Sequence, residues 1–153
     1  MISVVLLDID GILTDGAVYV DSLGKETKRI QFDDIDAIFK LKRSGIKVGF
    51  ITGEDNDFCQ YVKNRFSPDF FLVGCKDKLE SFKKLAKENQ LDKNTVCYAG
   101  DSEKDTELLE YVGYSFAPDD VDPIVKNSAK TALKVSRGRG VIKELTEIIL
   151  QKK

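Results

Sequence analysis

Apolar residues along this chain fall into short unbroken runs, separated by stretches in which they recur every three or four positions. Val4-Val5-Leu6-Leu7 is such a run, β-branched in part, and predicts a strand buried on both faces of a parallel sheet. It stops at Asp8. Ile46 to Ile51, ending at Thr52, and Thr95 to Ala99, ending at Gly100-Asp101, follow the same grammar, with shorter candidates at Phe70 to Val73 and Tyr114 to Ala117. Helical spacing predicts helices from Ile35 to Ser44, Asp57 to Arg65, Lys78 to Asn89, Lys104 to Val112 and Val141 to Leu150. Strands alternating with helices predict an α/β fold with a doubly wound parallel sheet, whose ligand site lies beyond the carboxyl ends of the strands. Ala17 to Val20 and Thr27 to Phe32 flank Asp21-Ser22-Leu23-Gly24 and predict a β-hairpin before the first helix, a flap over about 17–32 that overhangs the site.

Composition narrows the chemistry. The 153 residues, 42% hydrophobic and 33% charged, suit one compact domain over 1–153, with a C-terminal tail over about 135–153 that opens on the basic, glycine-rich Ser136-Arg137-Gly138-Arg139-Gly140. A formal charge of −2 with interspersed signs argues against a nucleic-acid partner. No apolar run is long enough for a membrane, and no signal-peptide pattern opens the chain, so a cytoplasmic protein is expected. Cys59, Cys75 and Cys97 lack disulfide or zinc spacing and read as free thiols. The chain has no histidine, which excludes Ser-His-Asp and Cys-His machinery. Catalysis must use carboxylates, lysine, hydroxyls or a metal ion.

Asp8-Ile9-Asp10-Gly11-Ile12-Leu13-Thr14-Asp15-Gly16 places three carboxylates between glycines at a strand end. Asp8 and Asp10, two apart on extended backbone, point to one side, and their repulsion is relieved by a divalent cation. Magnesium suits such an oxygen-only site and commonly bridges carboxylates to a substrate phosphate. Asp8 can then attack phosphorus, while Asp10 protonates the leaving alkoxide. The alternatives are an acidic turn or a calcium loop, the latter weakened by failure of the EF-hand spacing. Asp101 in Gly100-Asp101-Ser102-Glu103-Lys104-Asp105 reaches the same ion and Asp105 braces it, although Asp or Ser before a helix is commonly a cap. Thr52-Gly53 offers a hydroxyl and amides to a phosphate at a helix N-terminus, and Lys78 a balancing positive charge; a cap and a solvated lysine are the bland readings of each.

The ordered set Asp-x-Asp-Gly, Thr-Gly, Lys, Gly-Asp-x-x-x-Asp resembles the haloacid dehalogenase superfamily along essentially the whole chain. The resemblance implies Asp8 as nucleophile, Asp10 as acid/base and metal ligand through its backbone carbonyl, Thr52 and Lys78 as phosphate binders, Asp101 as metal ligand and Asp105 as metal support, with Mg2+ as cofactor. Ser102 departs from the second Asp of many relatives. A phosphorelay receiver also uses acids, Thr and Lys on such a sheet, but its phosphoacceptor lies on a middle strand in sequence order. A catalytically silent sugar-acid-binding or scaffolding domain is disfavoured by the intact Asp8 and Asp10.

The spacings leave no room for a cap domain. With Thr14-Asp15-Gly16 and the ending Arg137-Gly138-Arg139-Gly140-Val141-Ile142-Lys143-Glu144, the chain resembles the small branch of 3-deoxy-D-manno-octulosonate 8-phosphate (KDO 8-phosphate) and 2-keto-3-deoxy nonulosonate 9-phosphate (KDN 9-phosphate) phosphatases. Arg137 stands where that branch has a glycine, and Lys143 where it has an arginine. The branch implies a homotetramer in which a neighbour's hairpin and C-terminal segment close the site. Asp34, in Asp34-Ile35-Asp36-Ala37-Ile38, is carried over as a site residue. Glu54 follows Thr52-Gly53 as in the nine-carbon branch, where octulosonate phosphatases carry Arg. A glutamate accepts hydrogen bonds from sugar hydroxyls, with Arg65 or Arg139 meeting the substrate carboxylate; the competing role for Glu54 is to favour the helix start. The substrate expected is a small phosphorylated sugar acid, the nine-carbon acid ahead of the eight-carbon one.

Overall fold

The computed structural model describes residues 1–151. Six parallel strands form the sheet: β1 (Val4–Leu7), β4 (Lys47–Ile51), β5 (Phe70–Leu72), β6 (Val96–Ala99), β7 (Tyr114–Ala117) and β8 (Thr131–Ala132). Their spatial order is β5-β4-β1-β6-β7-β8, so the strand made first lies between two made later. Leu7 pairs with Phe50 on one side and Ala99 on the other.

Alternation along β1 divides the core in two. Val5 and Leu7 face a layer holding Ile38 and Leu41 of α1 (Phe32–Arg43), Val62 and Phe66 of α2 (Asp57–Phe66), and Leu145 and Ile149 of α6 (Val141–Gln151). Val4 and Leu6 face Phe82 and Leu85 of α3 (Lys78–Asn89), Leu108 of α4 (Thr106–Tyr111) and Val125 of α5 (Pro123–Ser128). With helices on both faces, every polar strand terminus is directed to the two ends of the sheet, and the carboxyl end collects the acids.

The hairpin is shorter than its hydrophobic pattern predicts. Its strands are β2 (Tyr19–Val20) and β3 (Glu26–Thr27), while Phe32 starts α1, where Asp33 and Asp34 in the first turn favour the positive end of a helix. A Thr14–Ile30 bridge closes its base. The helix expected from Lys104 begins instead as a tight turn over Glu103–Asp105 that runs into α4. The short α5 and β8 were not evident from periodicity. No cap domain is present among the described residues, and none of their helices is long and apolar enough to cross a membrane.

Candidate active site

Because β4, β1 and β6 are neighbours, Thr52, Asp8 and Asp101 arrive side by side at the carboxyl edge, and Lys78 enters from the start of α3. They line one cleft of about 270 Å³ together with Asp10, Gly53 and Glu54. The chain after Asp8 coils into one wide turn closed by Thr14 N–H donating to the Ile9 carbonyl at 3.1 Å. Gly11 makes that turn possible: its φ is +90°, and a Cβ there would lie 1.8 Å from Asp101 Oδ2.

Asp8 is buried and its Oδ1 accepts from the Ile9 amide at 2.8 Å. Lys78 Nζ stands 3.1 Å from Asp8 Oδ1 and 2.7 Å from Asp105 Oδ1. Burial drives the Asp8 carboxyl well above the usual carboxylate range; Lys78 opposes this, and the charges of Asp105 and Asp101 add to it. Asp101 is pushed up to about 6, burial again leading, with Asp105 contributing and Arg137 opposing. Burial alone would lower the Lys78 ammonium, yet Asp8 and Asp105 hold it above its ordinary value.

Carboxylate oxygens of Asp8, Asp101 and Asp105 lie within 4.8 Å of one another. Three hard oxygens at that spacing, two on carboxyls that resist ionisation, fit a divalent cation such as magnesium. Asp105 has little left to offer it. Its Oδ1 accepts from Lys78 and from the Tyr98 hydroxyl at 2.6 Å, and its Oδ2 from the amides of Asp101 and Ser102 at 2.9 and 3.1 Å. Fully buried, it braces the loop that carries Asp101.

Thr52 is buried, and its hydroxyl accepts from the Glu54 amide at 3.2 Å. Glu54 is exposed at the cleft wall. The remaining substrate candidates lie elsewhere. Arg65 is exposed in the last turn of α2, whose opposite end faces the cleft. Asp34 is fully buried and accepts from the Gly140 and Lys143 amides at 3.3 and 3.0 Å, so it caps the start of α6. Arg139 is exposed and does not line the cleft of its own subunit. The arginine that does is Arg137, held by Asp120 at 3.3 Å, with Nη1 3.7 Å from Asp101 Oδ2. Its sequence signal was a charged side chain where the resembling branch has glycine. Tyr98 was also missed; a hydroxyl inside the otherwise apolar Val96–Ala99 strand was the available clue.

Comparison with known proteins fits this geometry. The haloacid dehalogenase-like hydrolase family matches residues 74–145. The Yersinia pestis 3-deoxy-D-manno-octulosonate 8-phosphate phosphatase KdsC is 30% identical over 149 residues, covering 97% of this chain and 80% of that protein. The chain belongs to the haloacid dehalogenase-like hydrolase family. This member is an enzyme of the phosphoric monoester hydrolase class. The structure of the Moraxella catarrhalis octulosonate 8-phosphate phosphatase, holding magnesium, phosphate and KDO, superposes with a TM-score of 0.94 at 26% identity, covering 99% of this chain and 87% of the other. The N-acylneuraminate cytidylyltransferase A of Danio rerio is 30% identical over 98% of the chain, which spans 35% of that longer protein.

Proposed function

We propose that this hydrolase removes phosphate from a 2-keto-3-deoxy sugar acid, the nine-carbon KDN 9-phosphate in preference to the eight-carbon KDO 8-phosphate, with magnesium as cofactor. The observation that carries the reading is Asp8 at the end of the central strand, paired with Lys78 at 3.1 Å and clustered with Asp101. Glu54 on the cleft wall supports the nine-carbon preference by accepting hydrogen bonds from substrate hydroxyls.

Asp8, Asp101 and the Asp10 carbonyl would hold the ion, which supplies positive charge beside the transferring phosphoryl group. An Asp8 oxygen attacks phosphorus as the bond to the sugar oxygen breaks, and Asp10 gives that oxygen its proton. Lys78 and the Thr52 hydroxyl balance charge on the phosphoryl oxygens. Asp10, now ionised, takes a proton from water, whose oxygen bonds phosphorus as the Asp8–phosphorus link breaks. Inorganic phosphate leaves.

The reading includes a homotetramer. An uncapped cleft leaves the phosphoryl intermediate open to water, while the hairpin presents Tyr19 58%, Val20 59% and Leu23 91% exposed, and Arg139 faces outward for a neighbour. A stable, fully active monomer in sedimentation would remove that part. The Danio rerio relative motivates the silent-domain alternative, against which Asp8 and Asp10 stand intact. Comparison of kcat/KM for the two sugar-acid phosphates, on the native protein and Glu54→Arg, tests the substrate. A native preference for the octulosonate that Glu54→Arg leaves unchanged would show the nine-carbon assignment to be wrong, and phosphate release that persists in Asp8→Asn would refute the mechanism.

A further inference from the structure

Lys28 follows β3 where the hairpin returns to the body of the protein. Its side chain is only 8% exposed, yet it ends on a charge: Nζ lies 2.8 Å from Asp10 Oδ1. The same ammonium sits 4.9 Å from the centre of the Phe58 ring, in the first turn of α2. A buried ammonium without a partner is costly, so the Asp10 carboxylate is what makes this placement of the hairpin tenable. The Thr14–Ile30 bridge pins the backbone two residues further on.

Among the described residues, the hydrogen bonds to the Asp10 carboxylate all fall on one oxygen. Lys28 and, at 3.4 Å, the Thr14 hydroxyl both meet Oδ1. Thr14 is itself fixed, being fully buried and accepting from the Gly11 and Gly16 amides at 3.3 and 3.2 Å. With Oδ1 anchored and the residue in the cleft wall, Oδ2 is the oxygen left to exchange a proton with substrate. Proton transfer needs that oxygen within hydrogen-bond reach of the leaving group, so the rotation of one carboxylate decides whether the acid step works.

We infer that Lys28 is a positioning residue: it fixes the rotation of the Asp10 carboxylate, and so makes seating of the hairpin a condition for leaving-group protonation. The inference rests on Asp10 being the acid in the proposed reaction, but not on which sugar acid is the substrate. It predicts a defect that scales with how much the leaving group needs a proton. Nitrophenolate departs largely unaided, whereas an alkoxide does not.

The test is kcat/KM across phosphate monoesters from p-nitrophenyl phosphate to simple alkyl phosphates, with magnesium, on the native protein, Lys28→Met and Lys28→Arg. Lys28→Met should lose several-fold with the nitrophenyl ester but about 100-fold with alkyl esters, within the range of a general acid's contribution. Asp10→Asn should show the same steepened leaving-group dependence, and Lys28→Met added to it should cost little more. Lys28→Arg, able to pair with the carboxylate and stack on Phe58, should recover most of the alkyl-ester rate. An equal loss across the whole series, or no loss, overturns the inference even with the native enzyme active. Should Lys28→Met not fold, Lys28→Arg against Lys28→Gln carries the same comparison. No turnover of any ester by the native protein would overturn both the proposed function and this inference.

Discussion

Asp105→Asn is the substitution that looks mildest and should cost most. Five donors converge on the Asp105 carboxylate: Lys78 and Tyr98 on Oδ1, and the amides of Asp101 and Ser102 with the Ser102 hydroxyl on Oδ2. An asparagine keeps one acceptor oxygen and replaces the other by a donor. In one orientation its NH2 faces Lys78 and Tyr98; in the other it faces two backbone amides that cannot turn away. Either way at least two hydrogen bonds to a charged acceptor are lost in a fully buried setting. At roughly 1.5–3 kcal/mol each, the loss comes to about 3–6 kcal/mol. For a domain this size that lowers Tm by roughly 10 °C. Paired urea and thermal denaturation of native and variant protein, without magnesium, measures it directly. A loss below about 1 kcal/mol would mean that these donors find other partners and that Asp105 does not brace the loop.

Gly11→Ala should weaken magnesium binding more than it weakens the fold, because strain at positive φ costs about 1–2 kcal/mol while the new Cβ displaces the Asp101 carboxylate; calorimetric titration with unchanged magnesium affinity would contradict this. Asp8 and Asp101 have folded carboxyls raised above their ordinary values, Asp101 to about 6. In metal-free protein both therefore contribute stability in full below about pH 4; the Asp101 share is lost as pH rises through about 6, and the Asp8 share as pH rises through its own raised value. Magnesium competes with those protons, so its stabilising shift in Tm should be larger at about pH 7.5 than at about pH 5. Equal shifts at the two pH values would rule out these carboxyls as the ion's ligands.

What could be read from the sequence was what local order determines. Val4 to Leu7 ending on Asp8, Thr52 after Ile51, and Gly100-Asp101 after Ala99 each combine a strand with its polar stop inside a few residues, and the structure brings them to one edge. Arg65 and Asp34 do not line the cleft of their own subunit, because their surroundings are set by other parts of the chain. The direction of α2 carries Arg65 away from the cleft, and the start of α6, distant in sequence, claims Asp34. The sequence gives no site role to Tyr98, Lys28 or Arg137 for the same reason, since their partners Asp105, Asp10 and Asp120 become neighbours only through the fold. The short α5 and β8 lack enough turns or residues for a period to show.

The central position of β1 has a consequence for how the protein is made. Translation releases the nucleophile's strand first, but Lys47 and Val96, the partners of Val4, are synthesised long afterwards. Until both flanking strands emerge, four apolar residues have no sheet to join and Asp8 has neither Lys78 nor Asp101 beside it. Long-range parallel pairing of this kind is slow, and it leaves unpaired strand edges exposed in the meantime. In the newborn chain β1 therefore stays without its partners until β6 follows, and phosphatase activity cannot precede release of β6 from the ribosomal tunnel.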